Sequence, residues 1–333
     1  MTNLEQNPMT DATLLGFSVD ALISSAKPGT IDRASLRKVI PGLFYAKLFV
    51  LATLLGVAVG GVIATSGLTR IVIQILLGAL LAHATELIHQ CLHRTATGRA
   101  ARDQAFGMII ATPLGISFWR YLADHFAHHK DVTIESFSYN YQRMESPSLT
   151  TRIAGFVLHV SMVNHFVDTL KWIGYALTGR LEAKLEATRP GLNPQIVRRV
   201  KGDYLMMVAL MILAVVVTIT FETNLVIQLW LIPMIIGWAP IHALIELPEH
   251  WNCETSSRNA RLNTRSIRAS WLMRWFVNHN CNHVGHHMDL NVATERLPDY
   301  EAVLMNEEPF KYFEQSYPRF YFRFFRYLLT GAS

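Results

Sequence analysis

The segment IVIQILLGALLAHATELIHQCLH, from Ile71 to His93, decides the fold of this chain. It is long and apolar enough to cross the roughly 30 Å of hydrocarbon in a bilayer, which takes about 20 residues of helix. It nevertheless ends in two histidines, His89 and His93. Residues four apart lie on one face of a helix, so both imidazoles can bind one ion. The segment therefore predicts a membrane-spanning helix with metal ligands at one end.

The composition of the whole chain supports a membrane protein. Hydrophobic residues make up 51% of the 333 residues and charged residues only 17%, against about 25% charge in an average soluble domain. The net charge of +5 does not indicate nucleic acid, because the basic residues lie at the ends of apolar runs. Cys91, Cys253 and Cys281 are too few and too scattered for a disulfide framework.

Four apolar runs predict an all-α membrane protein with four transmembrane helices in two hairpins. The expected spans are about 44–64, 71–93, 204–221 and 225–247. Lysines and arginines gather before the first and third spans and after the second and fourth. The positive-inside rule then places both termini and both long loops in the cytosol. We expect these loops to form a cytosolic helical cap that holds a histidine-rich dimetal site.

The two ends of the chain lie outside the part that contains the predicted spans. Residues 1–42 are expected to be an N-terminal cytosolic or interfacial segment, and residues 43–305 the membrane domain. Residues 306–333 are rich in aromatic side chains, and Arg319, Arg323 and Arg326 share one helical face. This pattern favours a C-terminal segment that lies at the membrane interface.

Three histidine clusters carry the chemistry. His89-Gln-Cys-Leu-His93 has the spacing HxxxH, and HxxHH occurs twice, beginning at His125 and at His283. HxxHH gives two rings on one helical face and a third about 100° away. The eight imidazoles of the three clusters are too many for one ion and fit a pair of metals. The alternative, ordinary polar residues at an interface, is favoured for the isolated His83, His159, His165 and His279.

A further histidine candidate lies at the end of the fourth span. His242, Glu246 and His250 follow one another at intervals of four residues and so track one face of a helix. Pro248 is the residue at which such a helix could break.

With these motifs, the sequence resembles the integral-membrane fatty acid desaturase and hydroxylase superfamily, in particular its bacterial-type desaturases. The three histidine boxes of that family are similar, in order and separation, to HQCLH, HFAHH and HVGHH in this sequence. The resemblance extends around the last box. It includes ELPEHWNC, the following stretch LNTRSIRASWLMRWFVNHNCNHVGHH, and LPDY. It covers roughly residues 45–305. Asn282 and Gly285 depart from the aromatic residue and the glutamate that the family commonly has at these positions.

The resemblance implies a non-haem di-iron centre with O2 as co-substrate and no catalytic residues beyond the ligands. The implied ligands are His89, His93, His125, His128, His129, His250, His283, His286 and His287. Candidate supporting residues are Glu246, Asp124, Asp131, Asn280 and Glu86.

The expected function is desaturation of an acyl chain carried by a lipid or by coenzyme A. A hydroxylase on the same scaffold, acting on a lipid or a small biosynthetic metabolite, stays open. Neither a spare CxxC nor a dinucleotide glycine fingerprint is present. Electrons are therefore expected from a partner, a ferredoxin or a small b-type cytochrome with its reductase.

Two other classes of metal protein remain as alternatives. A histidine-rich metal transporter would need polar residues inside several spans, and the first and third spans have almost none. A ferritin-like site needs two ExxH motifs, and only Glu86-Leu-Ile-His89 was found.

Overall fold

The protein is mainly α-helical. The structure, a computed structural model, describes residues 33–132, 137–254 and 256–332. Most of the predicted N-terminal segment, residues 1–42, lies outside these ranges. The helices are α1 (Arg33–Leu36), α2 (Pro41–Ala64), α3 (Gly67–Leu92), α4 (Ala100–Ala111), α5 (Phe118–Lys130), α6 (Phe137–Met144), α7 (Leu149–Ser161), α8 (Val163–Leu177), α9 (Leu181–Thr188), α10 (Pro194–Thr220), α11 (Ala239–His250), α12 (Ala260–Asn263), α13 (Trp271–Phe276), α14 (His283–Met288), α15 (Leu297–Glu307) and α16 (Tyr317–Thr330). Two short strands, β1 (Ser266–Ile267) and β2 (Phe313–Glu314), pair in parallel.

Four helical segments are long and apolar enough to cross a membrane, which confirms the predicted fold class. They are Ala34–Ala64, Gly67–Leu92, Pro194–Thr220 and Ile227–His250. Two further helix pairs are each bent at a short break, α4 with α5 by 101° and α7 with α8 by 53°. Both pairs lie in the long loop between the second and third predicted spans, which the sequence predicts to be part of a helical cap.

The third span begins ten residues earlier than the predicted 204–221, at Pro194. The side chain of Asn193 caps the helix by accepting a hydrogen bond of 2.8 Å from the Gln195 N–H. Pro194 occupies the first turn, where its missing N–H costs nothing. The added turns carry exposed Arg198 and Arg199, so hydropathy alone could not place the start of this helix.

The fourth span is not a regular α-helix. It contains two π-helical segments, Ile227–Leu231 and Met234–Trp238, before α11 begins at Ala239. Such wide turns contain one residue more than an α-helical turn and occur often at functional sites. α11 then continues through Pro248 to His250.

The described residues divide into two compact units. The first contains Pro41–Phe126 and Asn164–Ala239. In it, α3 packs closely on the second π-helical segment, because Gly78 and Gly237 lack side chains. The indole N–H of Trp238 donates to Thr85 Oγ1 at 2.9 Å. The amide of Gln74 also donates to the Gln228 side chain at 2.7 Å. Small residues and polar side chains are typical of helix contacts in membranes.

The second unit contains Ala127–Val163, Pro240 to the C-terminus, and the described residues before Pro41. One apolar core joins α14 to α15 through Val284, Tyr300 and Leu304. A second core packs α16 against α6, the end of α11 and the residue that follows α11. Its members are Met144, Leu247, Trp251, Phe320, Phe324 and Leu328.

Candidate metal centre

Three histidines converge in the first unit. His89 and His93 lie one turn apart at the end of α3, and His125 lies on α5. The Nε2 atom of His125 is 2.9 Å from Nε2 of His89 and 2.7 Å from Nε2 of His93. The rings stand nearly perpendicular to one another, at 81° to 90°. The i, i+4 spacing of the first box thus does place both rings on one side of α3.

This arrangement fits a metal ion better than a network of hydrogen bonds. A neutral imidazole has one N–H and one lone pair, so three mutually close Nε2 atoms cannot all be paired through protons. A cation between them accepts all three lone pairs. Imidazole nitrogen suits iron, copper and zinc alike.

Four histidines converge in the second unit. They come from α5 (His128), the end of α11 (His250) and α14 (His283 and His287), and each is at most 8% exposed. Their ligand nitrogens lie within 4.8 Å of one another. Nε2 of His128 is 3.1 Å from Nε2 of His287, and Nε2 of His283 is 3.1 Å from Nε2 of His250. The residues present could therefore hold a second metal ion.

Two further histidines of the boxes meet in the same unit. The ring centroids of His129 and His286 are 4.6 Å apart, and those of His129 and His287 are 4.2 Å apart. The set of four contains His128 and His287 but not their neighbours His129 and His286. The HxxHH spacing predicts such a difference, because adjacent residues of a helix are about 100° apart.

Hydrogen bonds on the outer nitrogens hold two of these rings in the tautomer that a metal needs. Nδ1–H of His250 donates to the backbone carbonyl of Asn263 at 2.8 Å. Nδ1–H of His283 donates to Asn280 Oδ1 at 3.0 Å, and the Asn280 amide donates to Glu249 at 2.7 Å. The lone pair of each ring is then on Nε2, and these two Nε2 atoms lie 3.1 Å apart. Such outer partners fix ring orientation in metal sites.

Glu249 is a carboxylate that the sequence reasoning missed. Its Oε2 lies 3.4 Å from Nε2 of His283, and its side chain is only 14% exposed. The sequence feature that could have identified Glu249 is its position directly before His250, in the EH pair. A buried carboxylate here offsets part of the positive charge of a bound cation.

A second missed carboxylate, Glu301 on α15, supports the helix that carries the last box. Glu301 accepts hydrogen bonds from the Gly285 N–H at 2.8 Å and from the Asn282 amide at 2.7 Å. It also accepts one from Ser266 Oγ, which itself accepts the Val284 N–H. These groups satisfy N–H donors in the first turn of α14, which have no partner within the helix.

The structure places the other predicted supporting residues in varied surroundings. Glu246 Oε1 lies 3.2 Å from His242 Nε2, and Glu86 is buried on α3, three residues before His89. Asp124 bonds the guanidinium groups of Arg189 at 3.0 Å and Arg120 at 3.4 Å. Asp124 therefore has two guanidinium partners in this structure. Asp131 lies 3.4 Å from Arg258.

The histidines outside the clusters include two with evident structural partners. His159 lies 3.2 Å from the carbonyl of Ala243, and His165 lies 3.1 Å from the carbonyl of Leu114. These contacts agree with the interpretation of both as ordinary polar residues.

Burial keeps His128 neutral. It lowers the pKa of His128 to about 4, and the nearby Glu246 carboxylate offsets only part of that effect. At neutral pH the ring therefore retains the lone pair that metal binding requires.

A family model described as fatty acid desaturase matches residues 65–321, which is more than half of the 333 residues. No curated protein matches the chain. The matched range includes all three histidine boxes and His250.

Proposed function

Since the chain belongs to the fatty acid desaturase family, we propose that it is an O2-dependent membrane enzyme that introduces a C=C bond into an acyl chain. The observation that carries the proposal is the convergence of buried imidazoles from separate boxes, as in His128, His250, His283 and His287. The family implies an oxidoreductase acting on a lipid or acyl substrate, with some electron donor. It thereby favours this function over metal transport.

The proposed cofactor is a pair of iron ions. His89, His93 and His125 supply ligands from the first unit, and the second unit supplies His128, His129, His250, His283, His286 and His287. Bound iron would supply the activation of O2 that oxidation of an unactivated C–H bond requires.

The protein's own contribution is to hold the ligands neutral and oriented. The Asn263 carbonyl and Asn280 fix the protons of His250 and His283 at Nδ1. Glu249 contributes negative charge next to an otherwise neutral histidine set. This matters because nine neutral imidazoles leave two divalent cations uncompensated.

We further propose that the metal centre and both termini face the cytosol, as the distribution of basic residues favours. Electrons would come from a separate ferredoxin or small b-type cytochrome with its reductase.

Product analysis tests this function. Purified protein would be supplied with an acyl substrate, O2 and a reducing system, and the product analysed by mass spectrometry. A desaturase removes two hydrogens, whereas a hydroxylase adds one oxygen atom. The variant His125→Ala serves as the inactive control. Metal uptake into vesicles without O2 consumption would contradict both oxidative functions.

A further inference from the structure

A cavity of about 190 Å³ lies in the second unit beside α16. Trp251 and Asn252 form part of its wall, and they directly follow His250, where the fourth span ends. The cavity therefore lies next to a membrane boundary along the chain. Tryptophan and tyrosine are common at this level of a membrane protein, and Tyr327 also contributes to the wall.

The wall contains a buried cation without a carboxylate partner. Arg265 is 5% exposed, and its guanidinium donates to the backbone carbonyls of Pro248 at 2.5 Å and Trp251 at 2.8 Å. Within the described residues it forms no ion pair with an aspartate or glutamate. A buried charge is normally paired, because leaving it without a counter-charge is costly. An anion in the cavity would supply that counter-charge.

Two more guanidinium groups stand at the cavity. Arg323 bonds Glu314 at 3.2 Å through one of its nitrogens. Arg326 is exposed, and its guanidinium has no hydrogen bond or ion pair with any residue that the structure describes. One carboxylate, Glu145, also lines the cavity and has no ion-pair partner in the described parts of the chain. The wall therefore offers both signs of charge, with positive charge in excess.

The surface of α16 next to this wall suits lipid rather than water. Phe322 is 71% exposed and Leu329 60%, and both lie on one face with the partly exposed Phe325. At about 100° per residue, this face adjoins the face of Arg323 and Arg326. An apolar face beside a basic one is typical of helices that lie in the membrane interface.

We propose that this cavity binds the headgroup of a zwitterionic phospholipid, with the phosphate against Arg265 and Arg326 and the ammonium towards Glu145. Guanidinium groups bind phosphate oxygens through paired, charge-assisted hydrogen bonds. This site does not depend on the proposed oxidation chemistry, since none of these side chains belongs to the histidine sets.

Binding of a soluble short-chain lipid tests the proposal. Dihexanoyl phosphatidylethanolamine would be titrated into the full-length protein in a non-ionic detergent, with binding measured by calorimetry. We expect Arg326→Gln to weaken binding about tenfold, the loss typical of a charged hydrogen bond. The control is Arg319→Gln, because it removes the same charge from the same face of α16 at a residue that does not line the cavity. Equal effects of the two variants would overturn the proposal.

Further titrations identify the ligand. We expect phosphatidylethanolamine to bind more tightly than dihexanoyl phosphatidylglycerol, which lacks the ammonium, and Glu145→Gln to abolish that preference. Inorganic phosphate is expected to bind much more weakly than either lipid. An unchanged preference in Glu145→Gln, or binding of inorganic phosphate as tight as that of the lipid, would show that the headgroup assignment is wrong.

Discussion

Gly285, on α14, leaves room for the side chain of Glu301. If alanine replaced this glycine, its methyl group would lie 2.6 Å from Cγ of Glu301. Glu301 could then no longer bond the Gly285 N–H and the Asn282 amide. We predict that Gly285→Ala and Glu301→Ala each weaken metal binding, because α14 carries three candidate ligands and loses hydrogen bonds that hold its first turn. The expected loss is about tenfold, the lower end of the effect of losing a direct outer partner of a ligand. Metal content after dialysis at fixed free iron measures this effect.

The same pair of residues provides an internal test. Because both substitutions remove the same hydrogen bonds, the double variant should bind metal no worse than Glu301→Ala alone. Glu314→Ala is the control, since Glu314 is also a buried carboxylate of this unit but contacts Arg319 and Arg323 instead of the box. Additive losses, or an equal loss in Glu314→Ala, would contradict a positioning role for Glu301.

At the scale of residues, the sequence predicts the ligand types better than their supports. The box spacing is sufficient to place His89 and His93 on one face of α3, because helical periodicity decides which rings share a face. The approach of His125, on α5, comes from helix packing across more than 30 residues of chain. The support of His250 comes from the backbone carbonyl of Asn263, and a carbonyl group has no sequence signature. Glu301 acts across a separation of 16 residues from Gly285, which local patterns do not indicate.

At the scale of elements, the contact between α3 and the fourth span depends on two glycines. A Cβ on Gly78 would lie 2.4 Å from Gly237 Cα and 2.4 Å from the Pro233 carbonyl oxygen, both backbone atoms that cannot move aside easily. We predict that Gly78→Ala destabilises the protein by about 1–3 kcal/mol, the usual cost of overpacking. Thermal unfolding in detergent measures the change.

Gly56 on α2 is the matched control for that substitution. A Cβ there meets nothing within 4 Å, so Gly56→Ala should leave the melting temperature unchanged or raise it slightly through the better helix propensity of alanine. An equal decrease in both variants would show that the contact of α3 with the fourth span is not the cause.

The spans were predictable as elements, but their ends and internal geometry were not. Apolar runs identify all four because the bilayer imposes length and hydrophobicity. The start of α10 depends on the Asn193 cap and lies in a polar stretch. The π-helical segments could not be recognised from the spacing of apolar residues. In a span, a π-helix and an α-helix both place apolar residues towards lipid, so the sequence looks the same for either.

At the scale of the whole molecule, the two histidine sets should hold separate ions. We predict that His93→Ala and His250→Ala each lower the iron content from about two ions per chain to about one, because each removes a ligand from a different set. The double variant should contain almost none. Plasma emission spectrometry of the purified proteins measures iron, and complete loss of iron in either single variant would contradict two separable sites.

The proposed orientation can be tested with single cysteines. In a variant with Cys253 replaced by serine, Asn224→Cys should react with a membrane-impermeant maleimide on intact cells, because it lies in the turn between the last two spans. Gln195→Cys, at the start of α10, should react only after lysis. Labelling of Gln195→Cys on intact cells would reverse the assigned orientation.

The wide turns between Ile227 and Trp238 also limit which changes in the number of residues the fourth span can accept. Each wide turn already contains one residue more than an α-helical turn, so inserting one further codon here would rotate everything downstream by about 100° and move His250 out of register with its partners. Inserting one residue beside Thr223, in the preceding turn, should be tolerated, since a loop absorbs an added residue locally. Iron content of the two insertion variants would distinguish them. Insertions should therefore be rarer in this stretch than in the turn before it.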